Sequence, residues 1–474
     1  MTELLTSYID GAWLTDWSGA TNELTNPATE QVTDCVALAG PAEVDAAVAA
    51  ARRSFATYSK TTAAERIEIL QRISAQLKAR AEDLAAAVTL DMGMPLANSR
   101  IAVGAAQLQF EAMIELLGSY PFTSERDGII LQKDAIGVVA LIPPWNYPAL
   151  QMAEKVAPAL AAGCTMILKP AEITSHAGVV FAEIMDAANL PAGVFNLLVG
   201  KGSTVGDALS KHPGIDMVAF TGSTAVGIQV QKDAADTVKR VSLELGGKSA
   251  HIVLPDADMD LAVATAVQGV MSNSGQTCAA PTRTFVPASR LDEFLTKAKA
   301  SVAALTVGDP TADNDLGSVA NATQFKTVQK YIQIGLDEGA TLEIGGLGKP
   351  EGVEDGLFVR PTIFSGVTND MRIAQEEIFG PVMSVISYED IDTAVAEAND
   401  SPYGLAGYVT GANPDAARAV AAQIRAGQVV VNSPVPDLHA PFGGYKMSGN
   451  GRIWGEHGLE EYLETKALVG NYSV

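Results

Sequence analysis

Apolar side chains recur at helical spacing in the first part of the chain. Residues 41–58 and 62–90 are alanine-rich stretches with this spacing, and the second begins with Thr62 and Glu65 at the spacing of a capping box. Each stretch is predicted to be helical, with one face turned toward a core.

From Gly137 onward, short apolar runs rich in β-branched residues alternate with helical stretches. In the first series the runs are GVVALIPPW, CTMILKP, VFNLLVG and DMVAFTGS, separated by helical stretches such as 149–162 and 174–188. A second series starts near Gly247, with the runs RTFVP, FVRPTIF, PVMSVISY and AGYVTG and predicted helices at 290–305, 324–338, 391–399 and 414–426. This alternation predicts parallel sheets covered on both faces, so the expected fold class is α/β with a second domain of the same class.

Two further segments alternate between apolar and polar residues. They are DGIILQKDAIG, which precedes the first series, and LEEYLETKALVGNYSV at the end of the sequence. Both are predicted to be exposed strands, and unpaired strand edges are liabilities unless a partner covers them. Self-association, as a homodimer or homotetramer, is therefore expected.

Composition argues against several classes of function. The 474 residues are 47% hydrophobic and 18% charged, and their formal net charge of −23 argues against a nucleic-acid partner. No run approaches the roughly 18 apolar residues of a membrane helix, and MTELLTSYIDGAW lacks the features of a signal peptide. The three cysteines and five histidines have neither metal-site nor disulfide spacing. We therefore expect a cytoplasmic protein with no membrane partner and no metal.

One of three glycine clusters is a candidate phosphate-binding turn. LGGKS is not a P-loop because Ser242 stands where the first glycine would be, and SGNGRIWG is out of step with GxGxxG. In FTGSTAVG an apolar run ends at Gly222 and a predicted helix follows, so backbone N–H groups can face a pyrophosphate. Ser223 would cap this helix or donate to phosphate, and Gly227 would allow close approach of helix and sheet. An ordinary strand-to-helix turn explains the same residues.

The stretch SGQTCAA places a lone cysteine, Cys278, among small residues. Such a thiol is either inert packing or a nucleophile, and Gly275 and its neighbours would let the backbone pass close to a substrate. Four more segments accompany it: PPWNYP with Asn146, LELGGKS with Glu244, EEIFGP with Glu377 and Phe379, and PFGGYKMSG. With the 34-residue interval from Glu244 to Cys278, these motifs resemble the NAD(P)-dependent aldehyde dehydrogenase superfamily over essentially the whole chain.

The resemblance implies a domain plan and a reaction. The plan is a Rossmann-like NAD-binding domain (1–116 and 138–246), an α/β catalytic domain (247–449) and a small β oligomerisation arm (117–137 and 450–474). Cys278 would add to an aldehyde, and the thiohemiacetal would lose hydride to leave a thioester. Asn146 and the Cys278 N–H would form the oxyanion hole, Glu244 would activate the hydrolytic water, and Lys155 would assist proton movement. No histidine is identifiable as a base for the thiol, so Glu244 is the candidate for that step too.

The resemblance also implies cofactor and substrate residues. Glu377 would hold the nicotinamide ribose, with Phe379 near the ring. The other expected cofactor residues are Trp145, Lys169, Glu172, Gly222, Ser223, Gly227, Leu245 and Gly246. The expected tunnel residues are Tyr147, Leu150, Gln151, Glu154, Asp437 and His439, the last two in a rim at 433–440. Arg240, Arg452 and Glu464 match a trio that ties the site to the terminal strand and a neighbouring subunit.

Charged residues refine the expected ligands. Lys169 and Glu172 follow the strand CTMILKP, where they suit the adenosine side and the ribose hydroxyls of a dinucleotide. The Glu172 carboxylate would repel a 2′-phosphate, which favours NAD and leaves NADP open. Glu154 would likewise repel a carboxylate tail, which favours neutral or cationic aldehydes.

One position departs from the family pattern, and two other functions stay open. Arg452 is followed by Ile453 where a glutamate is usual, so deacylation is expected to depend on Glu244 alone.

A CoA-acylating relative would let CoA attack the thioester, but such enzymes typically lack the base that Glu244 supplies. A non-catalytic relative would keep the fold, but Cys278, Glu244 and Asn146 are all present.

Overall fold

The computed structural model of the chain describes residues 4–432 and 437–470. Its α-helices are α1 (Pro41–Tyr58), α2 (Ala63–Ala79), α3 (Ala81–Met92), α4 (Leu96–Leu117), α5 (Pro148–Ala162), α6 (Ser175–Ala187), α7 (Asp207–Lys211), α8 (Thr224–Ala234), α9 (Met259–Met271), α10 (Leu291–Ala303), α11 (Ala322–Asp337), α12 (Arg372–Gln375), α13 (Ile391–Asn399), α14 (Pro414–Ala421) and α15 (Gly455–Glu460). Within the residues described, no helix is both long and apolar enough to cross a bilayer.

The strands form two large and two small sheets. They are β1 (Leu4–Leu5), β2 (Tyr8–Ile9), β3 (Ala12–Trp13), β4 (Thr21–Thr25), β5 (Val32–Ala37), β6 (Thr123–Arg126), β7 (Ile129–Ala135), β8 (Val138–Ile142), β9 (Thr165–Leu168), β10 (Phe195–Leu197), β11 (Met217–Thr221), β12 (Arg240–Glu244), β13 (Ala250–Val253), β14 (Arg283–Pro287), β15 (Thr341–Ile344), β16 (Thr362–Ser365), β17 (Val382–Tyr388), β18 (Ala406–Thr410), β19 (Gln428–Val431) and β20 (Leu463–Val469).

The first large sheet has seven strands in the order β12-β11-β8-β9-β10-β2-β3. The first five strands of this order, from β12 to β10, are parallel, and β2 and β3 at the other end pair antiparallel. Successive residues of β8 enter different cores: Val139 and Leu141 pack with α4 and α5, whereas Val138 and Ala140 pack with α1. Both faces are therefore buried, as the continuous apolar runs predict.

The second large sheet follows the order β15-β16-β17-β14-β13-β18-β19, and only β15 pairs antiparallel. Its strands also divide their side chains between two cores, with Val382 and Ile386 in one and Met383 and Val385 in the other. The α/β prediction with two sheets of one class is confirmed. The domain boundaries drawn from the resemblance stay a prediction.

Both predicted exposed strands are present in a three-stranded sheet of order β20-β7-β6. β20 pairs antiparallel with β7 over its whole length, from Leu463 opposite Ala135 to Val469 opposite Ile129. The other small sheet has the order β1-β5-β4. Oligomerisation through these strands stays a prediction.

Two helical predictions need correction, and the helix α4 was missed. The stretch 62–90 is two helices, because Arg80 leaves the helical region at φ −107° and caps both α2 and α3. The 22-residue helix α4 was not predicted, although its buried residues follow helical spacing. The helix predicted at 414–426 ends at Ala421.

Candidate active site

A cavity of about 260 Å³ opens where three neighbouring parallel strands end, namely β8, β11 and β12. Parallel sheets commonly bind ligands at their carboxyl ends, since loops and helix N-termini converge there. The cavity is lined by Pro144, Trp145, Asn146, Thr221, Gly222, Ser223, Leu245, Gly246, Cys278, Gln324, Thr327, Glu377, Ile378 and Phe379.

Cys278 is half-buried, and the turn before it has an unusual backbone. Asn273, Ser274 and Gly275 have φ values of 52°, 53° and 75°, a left-handed run that non-glycine residues rarely adopt. A Cβ at position 275 would lie 2.0 Å from the Gly380 carbonyl carbon. The expectation that Gly275 clears the way for substrate is therefore corrected: it allows the turn to pack on Gly380.

Hydrogen bonds within the turn hold it in this shape. The Gln276 side chain donates to the Asn273 carbonyl at 3.0 Å and accepts from the Ala320 N–H at 2.8 Å. Ser274 donates to the Gly317 carbonyl at 2.8 Å. Sequence reasoning missed Asn273 and Gln276, because their partners lie in remote loops.

Asn146 is buried and brings its side-chain amide to the same cavity as Cys278. Its Nδ2 donates to the Gln276 carbonyl at 2.9 Å, and its own carbonyl accepts from the Asn273 amide at 2.9 Å. A side-chain amide has two N–H donors, so one is left for a ligand oxygen in the cavity. Asn146 can therefore serve as an oxyanion donor without leaving its loop.

The expected tunnel residues on α5 share one helical face. Tyr147, Leu150, Gln151 and Glu154 follow each other at helical spacing, with Gln151 and Glu154 buried. The Tyr147 hydroxyl lies 2.9 Å from the Thr277 hydroxyl, next to the cysteine. This face of α5 is thus brought to the thiol.

Glu244 ends β12 with its carboxylate buried, and neither of its oxygens has a hydrogen-bond partner. A Cβ at Gly443 would lie 2.6 Å from its Oε1, so the glycine-rich loop packs directly on the carboxylate. Burial raises the pKa of Glu244 well above its usual range, against the lowering effect of Lys155.

Lys155 reaches from α5 to the end of the sheet. Its Nζ donates to the Thr221 hydroxyl at 2.6 Å, and Thr221 is the register partner of Glu244 on the adjacent strand. Burial lowers the pKa of Lys155, while the neighbouring Glu154 and Glu244 raise it. Lys155 is therefore bonded to Thr221 and acts on both carboxylates through its charge.

Glu154 is buried beside Lys155. Its Oε2 accepts a hydrogen bond from the Trp454 indole at 3.2 Å, while its Oε1 has no partner. Burial raises the pKa of Glu154 to about 7, against the lowering effects of Lys155 and the indole.

The Cys278 thiol is held in its neutral form. Burial, followed by the charges of Glu377, Glu154 and Glu244, raises its pKa to about 12. A thiolate therefore has to be formed with the help of a proton acceptor during the reaction.

The turn after β11 joins this strand to α8, and its binding of phosphate stays a prediction. Ser223 caps α8 by accepting from the Val226 N–H at 3.4 Å, and the Gly222 N–H donates to the Glu244 carbonyl at 3.1 Å. A Cβ at Gly227 would lie 2.5 Å from the Leu245 side chain, so α8 packs closely against that residue.

Glu377 and Phe379 approach the cavity from the other side. Glu377 Oε1 accepts from the Gly247 N–H at 3.1 Å, and burial raises the Glu377 pKa to about 7. A Cβ at Gly246 would lie 2.2 Å from Glu377 Oε2. The Phe379 ring meets Trp145 edge to face, with centroids 5.3 Å apart.

Lys169 and Glu172 lie at the end of β9, outside the residues that line the cavity. Lys169 is buried, donates to the Pro170 carbonyl at 2.8 Å, and has its pKa lowered to about 8 by burial. Glu172 Oε2 accepts from the Gly202 N–H at 3.0 Å.

The expected rim lies only partly within the described residues. Residues 433–436 fall outside them, whereas Asp437 and His439 are exposed, and the Asp437 carboxylate accepts from the His439 N–H at 2.9 Å. In the expected trio, Arg240 pairs with Glu464 at 2.7 Å, but Arg452 donates to the Gly444 and Gly451 carbonyls.

An apolar wall packs against the cysteine. It consists of Leu405, Phe442, Ile453 and Trp454, with Leu438, Ala279 and Cys278 packed on it. Ile453 is fixed by paired backbone hydrogen bonds with Phe442. Sequence reasoning missed Trp454 and also Tyr408, whose hydroxyl donates to the Ala279 carbonyl at 3.1 Å.

Known proteins resemble this chain in sequence and in fold. A family model described as the aldehyde dehydrogenase family matches residues 13–468. The chain is 46% identical, over 98% of both chains, to a Pseudomonas sp. protein named 3-succinoylsemialdehyde-pyridine dehydrogenase. It is 48% identical to a solved variant of aldehyde dehydrogenase C from Pseudomonas syringae in complex with NAD+ and octanal, with a TM-score of 0.97 over 98% of this chain and 96% of that one. For a Staphylococcus aureus betaine aldehyde dehydrogenase in complex with NAD+, the identity is 37% and the TM-score 0.95, over 98% and 94% of the chains.

Proposed function

The chain belongs to the aldehyde dehydrogenase family, and on that premise we propose that it oxidises a neutral, apolar aldehyde to the carboxylic acid with NAD+, through a thioester on Cys278 that water hydrolyses. The observation that carries this proposal is the meeting of three groups at the strand ends. They are the Cys278 thiol and the Asn146 amide on one cavity, and the buried, unpaired Glu244 carboxylate, whose charge acts on that thiol.

The covalent step follows from the positions of Cys278 and Asn146. The sulfur adds to the aldehyde carbon as its proton passes to an acceptor, for which Glu244 is our candidate. The resulting oxyanion receives hydrogen bonds from the free Asn146 N–H and from the Cys278 backbone, which stabilise it before hydride leaves. Oxidation of this carbon leaves a thioester on Cys278.

Several residues on the cavity suit a dinucleotide. Glu377 has one oxygen held by Gly247, and the missing Cβ of Gly246 gives its other oxygen room to accept from a ribose hydroxyl. Ser223 and the N-terminus of α8 would face the pyrophosphate, and Trp145 and Phe379 would flank the nicotinamide. When bound, NAD+ supplies the acceptor for the hydride. We propose that Glu172 selects NAD+ over NADP+ by repelling a 2′-phosphate, with Lys169 on the adenosine side.

Glu244 supports hydrolysis rather than transfer to CoA. Burial makes its ionised carboxylate a stronger base than an exposed glutamate, and the Lys155 ammonium favours that ionised form. The base can take a proton from water as the water attacks the thioester carbonyl, after which the C–S bond breaks and the acid leaves.

The apolar wall supports neutral aldehydes. Its Phe442, Ile453 and Trp454 side chains pack where the chain of a substrate bound to Cys278 would run. Glu154 was expected to favour neutral or cationic aldehydes. We now favour neutral ones, because its carboxylate already accepts from Trp454 and feels the charge of Lys155. The octanal held by the Pseudomonas syringae relative agrees with this preference.

A panel of aldehydes tests the proposal. Short, medium and long straight-chain aldehydes, betaine aldehyde and succinate semialdehyde are compared with NAD+ and NADP+, with and without CoA, by following the reduced cofactor. We expect the highest kcat/KM for straight-chain aldehydes with NAD+ and no dependence on CoA. Acyl-CoA formation would favour the CoA-acylating alternative, and the absence of oxidation with every aldehyde would contradict the proposal.

The Glu244→Gln variant separates the two halves of the reaction. It keeps the shape of the side chain but removes the base, so we expect one equivalent of NADH per active site followed by very slow turnover. Intact-mass measurement should then find the acyl group on Cys278. A Glu244→Gln enzyme with normal turnover would remove Glu244 from hydrolysis.

A further inference from the structure

We propose that Glu154 is the residue to which Glu244 passes its proton between turnovers, by way of Lys155. This inference rests on the proposed function, because it concerns the proton that Glu244 takes from the hydrolytic water. Glu154 was expected to line the tunnel and to act on substrate charge. Three features of its surroundings support a role in moving protons instead.

The first feature is the link from Glu244 to Lys155. Register partners on adjacent parallel strands lie about 5 Å apart and point to the same face of the sheet. Thr221 and Glu244 are such partners, and the Lys155 Nζ lies 2.6 Å from the Thr221 hydroxyl. The lysine therefore ends at the strand next to that of the carboxylate that must lose a proton, and a water has to bridge the two groups.

The second feature is the state of the Glu154 carboxyl group. The residue is 2% exposed, and the Trp454 indole fixes one oxygen at 3.2 Å. The other oxygen is buried without a partner, which is costly for a carboxylate unless a nearby cation or an added proton compensates it. Lys155, the next residue on α5, is the cation that acts on it.

The third feature is the chemistry of the apolar wall that packs on Cys278. It consists of Leu405, Phe442, Ile453 and Trp454, which have no side-chain group that accepts a proton. Neither oxygen of Glu244 has a hydrogen-bond partner, so no hydrogen bond ties its proton to this wall.

Away from α5, Arg452 and Glu461 also act on Glu244. Arg452 is held by the Gly444 and Gly451 carbonyls, and the Glu461 carboxylate accepts from the Arg452 N–H at 3.0 Å, so both are already engaged with each other's segment. We therefore favour the route along α5.

The transfer balances without any other reactant. The Lys155 ammonium gives one proton to Glu154 and becomes the neutral amine, which then takes the proton of Glu244 as the Glu244 O–H bond breaks. Lys155 forms no ion pair with either carboxylate, so a bridging water relays each transfer, gaining one proton and losing one. Each step breaks one bond to hydrogen and makes one, so Glu244 returns to the carboxylate and Glu154 becomes the acid. Glu154 touches no reacting atom and is thus a positioning residue, which controls where the proton rests.

The electrostatics of the cluster agree with this order. The ionisable groups that act on Glu154 or are acted on by it are Lys155 and, from other elements, Glu244, Cys278 and Tyr462. Burial raises the pKa of Glu154 to about 7 and lowers that of Lys155. The two shifts bring the proton affinities of Glu154 and Lys155 closer together, and Glu154 can change its protonation state near neutral pH.

The test compares Glu154→Gln with Glu154→Asp in the full-length enzyme, with a straight-chain aldehyde and saturating NAD+. Glutamine can still accept from Trp454 but cannot take a proton. We expect its first-turnover NADH to form at the wild-type rate, its steady-state turnover to fall about tenfold, and acyl-Cys278 to accumulate. We also expect kcat to lose its rise with pH near neutrality. Aspartate keeps a carboxylate, so it should keep that rise and recover part of the turnover.

Glu460→Gln is the matched control, because it makes the same change on α15 at a carboxylate that binds Tyr120 and Lys133. We expect its turnover and pH profile to match the wild type. The inference is overturned if Glu154→Gln keeps the wild-type turnover and pH profile, if its first turnover slows as much as its steady state, or if Glu154→Asp behaves like Glu154→Gln. Wild-type oxidation by NAD+ without CoA tests the proposed function separately.

Discussion

Replacing Gly246 by alanine would test the cofactor side of the site. A Cβ at this position would lie 2.2 Å from Glu377 Oε2 and 3.0 Å from its Oε1. Non-bonded heavy atoms reach their optimal separation only near 3.5–4.0 Å, so the carboxylate must swing away by roughly 1 Å or more. Because that carboxylate is the end of a flexible side chain, we expect the protein to fold normally.

The displaced carboxylate loses its hydrogen bond from the Gly247 N–H, now 3.1 Å long, and its position for a ribose hydroxyl. Hydrogen bonds to charged groups contribute about 1.5–3 kcal/mol, and 1.4 kcal/mol corresponds to a factor of ten in binding. The KM for NAD+ of Gly246→Ala should therefore rise about 10- to 100-fold. The rate at saturating NAD+ should change much less, since Cys278, Asn146 and Glu244 stay in place.

The assay combines initial rates at varied NAD+ with direct titration of NAD+ binding, so that a change in KM can be assigned to affinity. Gly104→Ala is the control, because a Cβ at this position on α4 meets nothing within 4 Å. Glu377→Gln should weaken NAD+ binding in the same direction as Gly246→Ala. Unchanged NAD+ affinity in Gly246→Ala, with a normal thermal melt, would refute our placement of Glu377 on the ribose.

Three other predictions concern the thiol and its turn. Asn146→Ala should slow the first-turnover formation of NADH by about 10²–10³-fold while leaving NAD+ affinity intact, as stopped-flow and titration would measure. Gly275→Ala should destabilise the fold by at least about 2 kcal/mol, seen as a lower Tm, because a side chain at φ 75° would also overlap Gly380. Alkylation of Cys278 should accelerate about tenfold per pH unit from neutrality to pH ~10, because the thiol pKa is raised to about 12 and the thiolate fraction grows throughout. A plateau below pH ~8 would contradict that shift.

Much of the fold could be predicted from local pattern. α1 spans the predicted 41–58, and the apolar runs after Gly137 contain strands of the large sheets, because buried parallel strands are apolar on both faces. The break at Arg80 was not predictable, since the residue is a good helix former whose conformation depends on how α2 and α3 pack. Local pattern thus predicts an element more readily than its end.

In the candidate site, the chemical groups were predictable from the sequence, but the backbone that holds the thiol was not. Cys278, Asn146, Glu244 and Glu377 stand in recognisable motifs, and the structure brings them to one region. The left-handed turn before Cys278 was not predicted, because Gln276 bonds to Ala320, which is 44 residues away in the chain. Short motifs therefore indicated which chemistry to expect but not how the thiol is held.

The role of Glu154 shows why residue type alone is insufficient here. From the sequence we expected the Glu154 carboxylate to line the tunnel and to repel a substrate with a carboxylate tail. In the structure the carboxylate is buried and accepts from the indole of Trp454, 300 positions later. Burial raises its pKa to about 7, against the lowering effects of Lys155 and of this hydrogen bond. The same burial lowers the pKa of Lys155 and raises that of Glu244, so the three groups come closer in proton affinity than exposed residues would be. Proton transfer among them then costs less free energy, and this depends on the segment that returns from the end of the chain to cover α5.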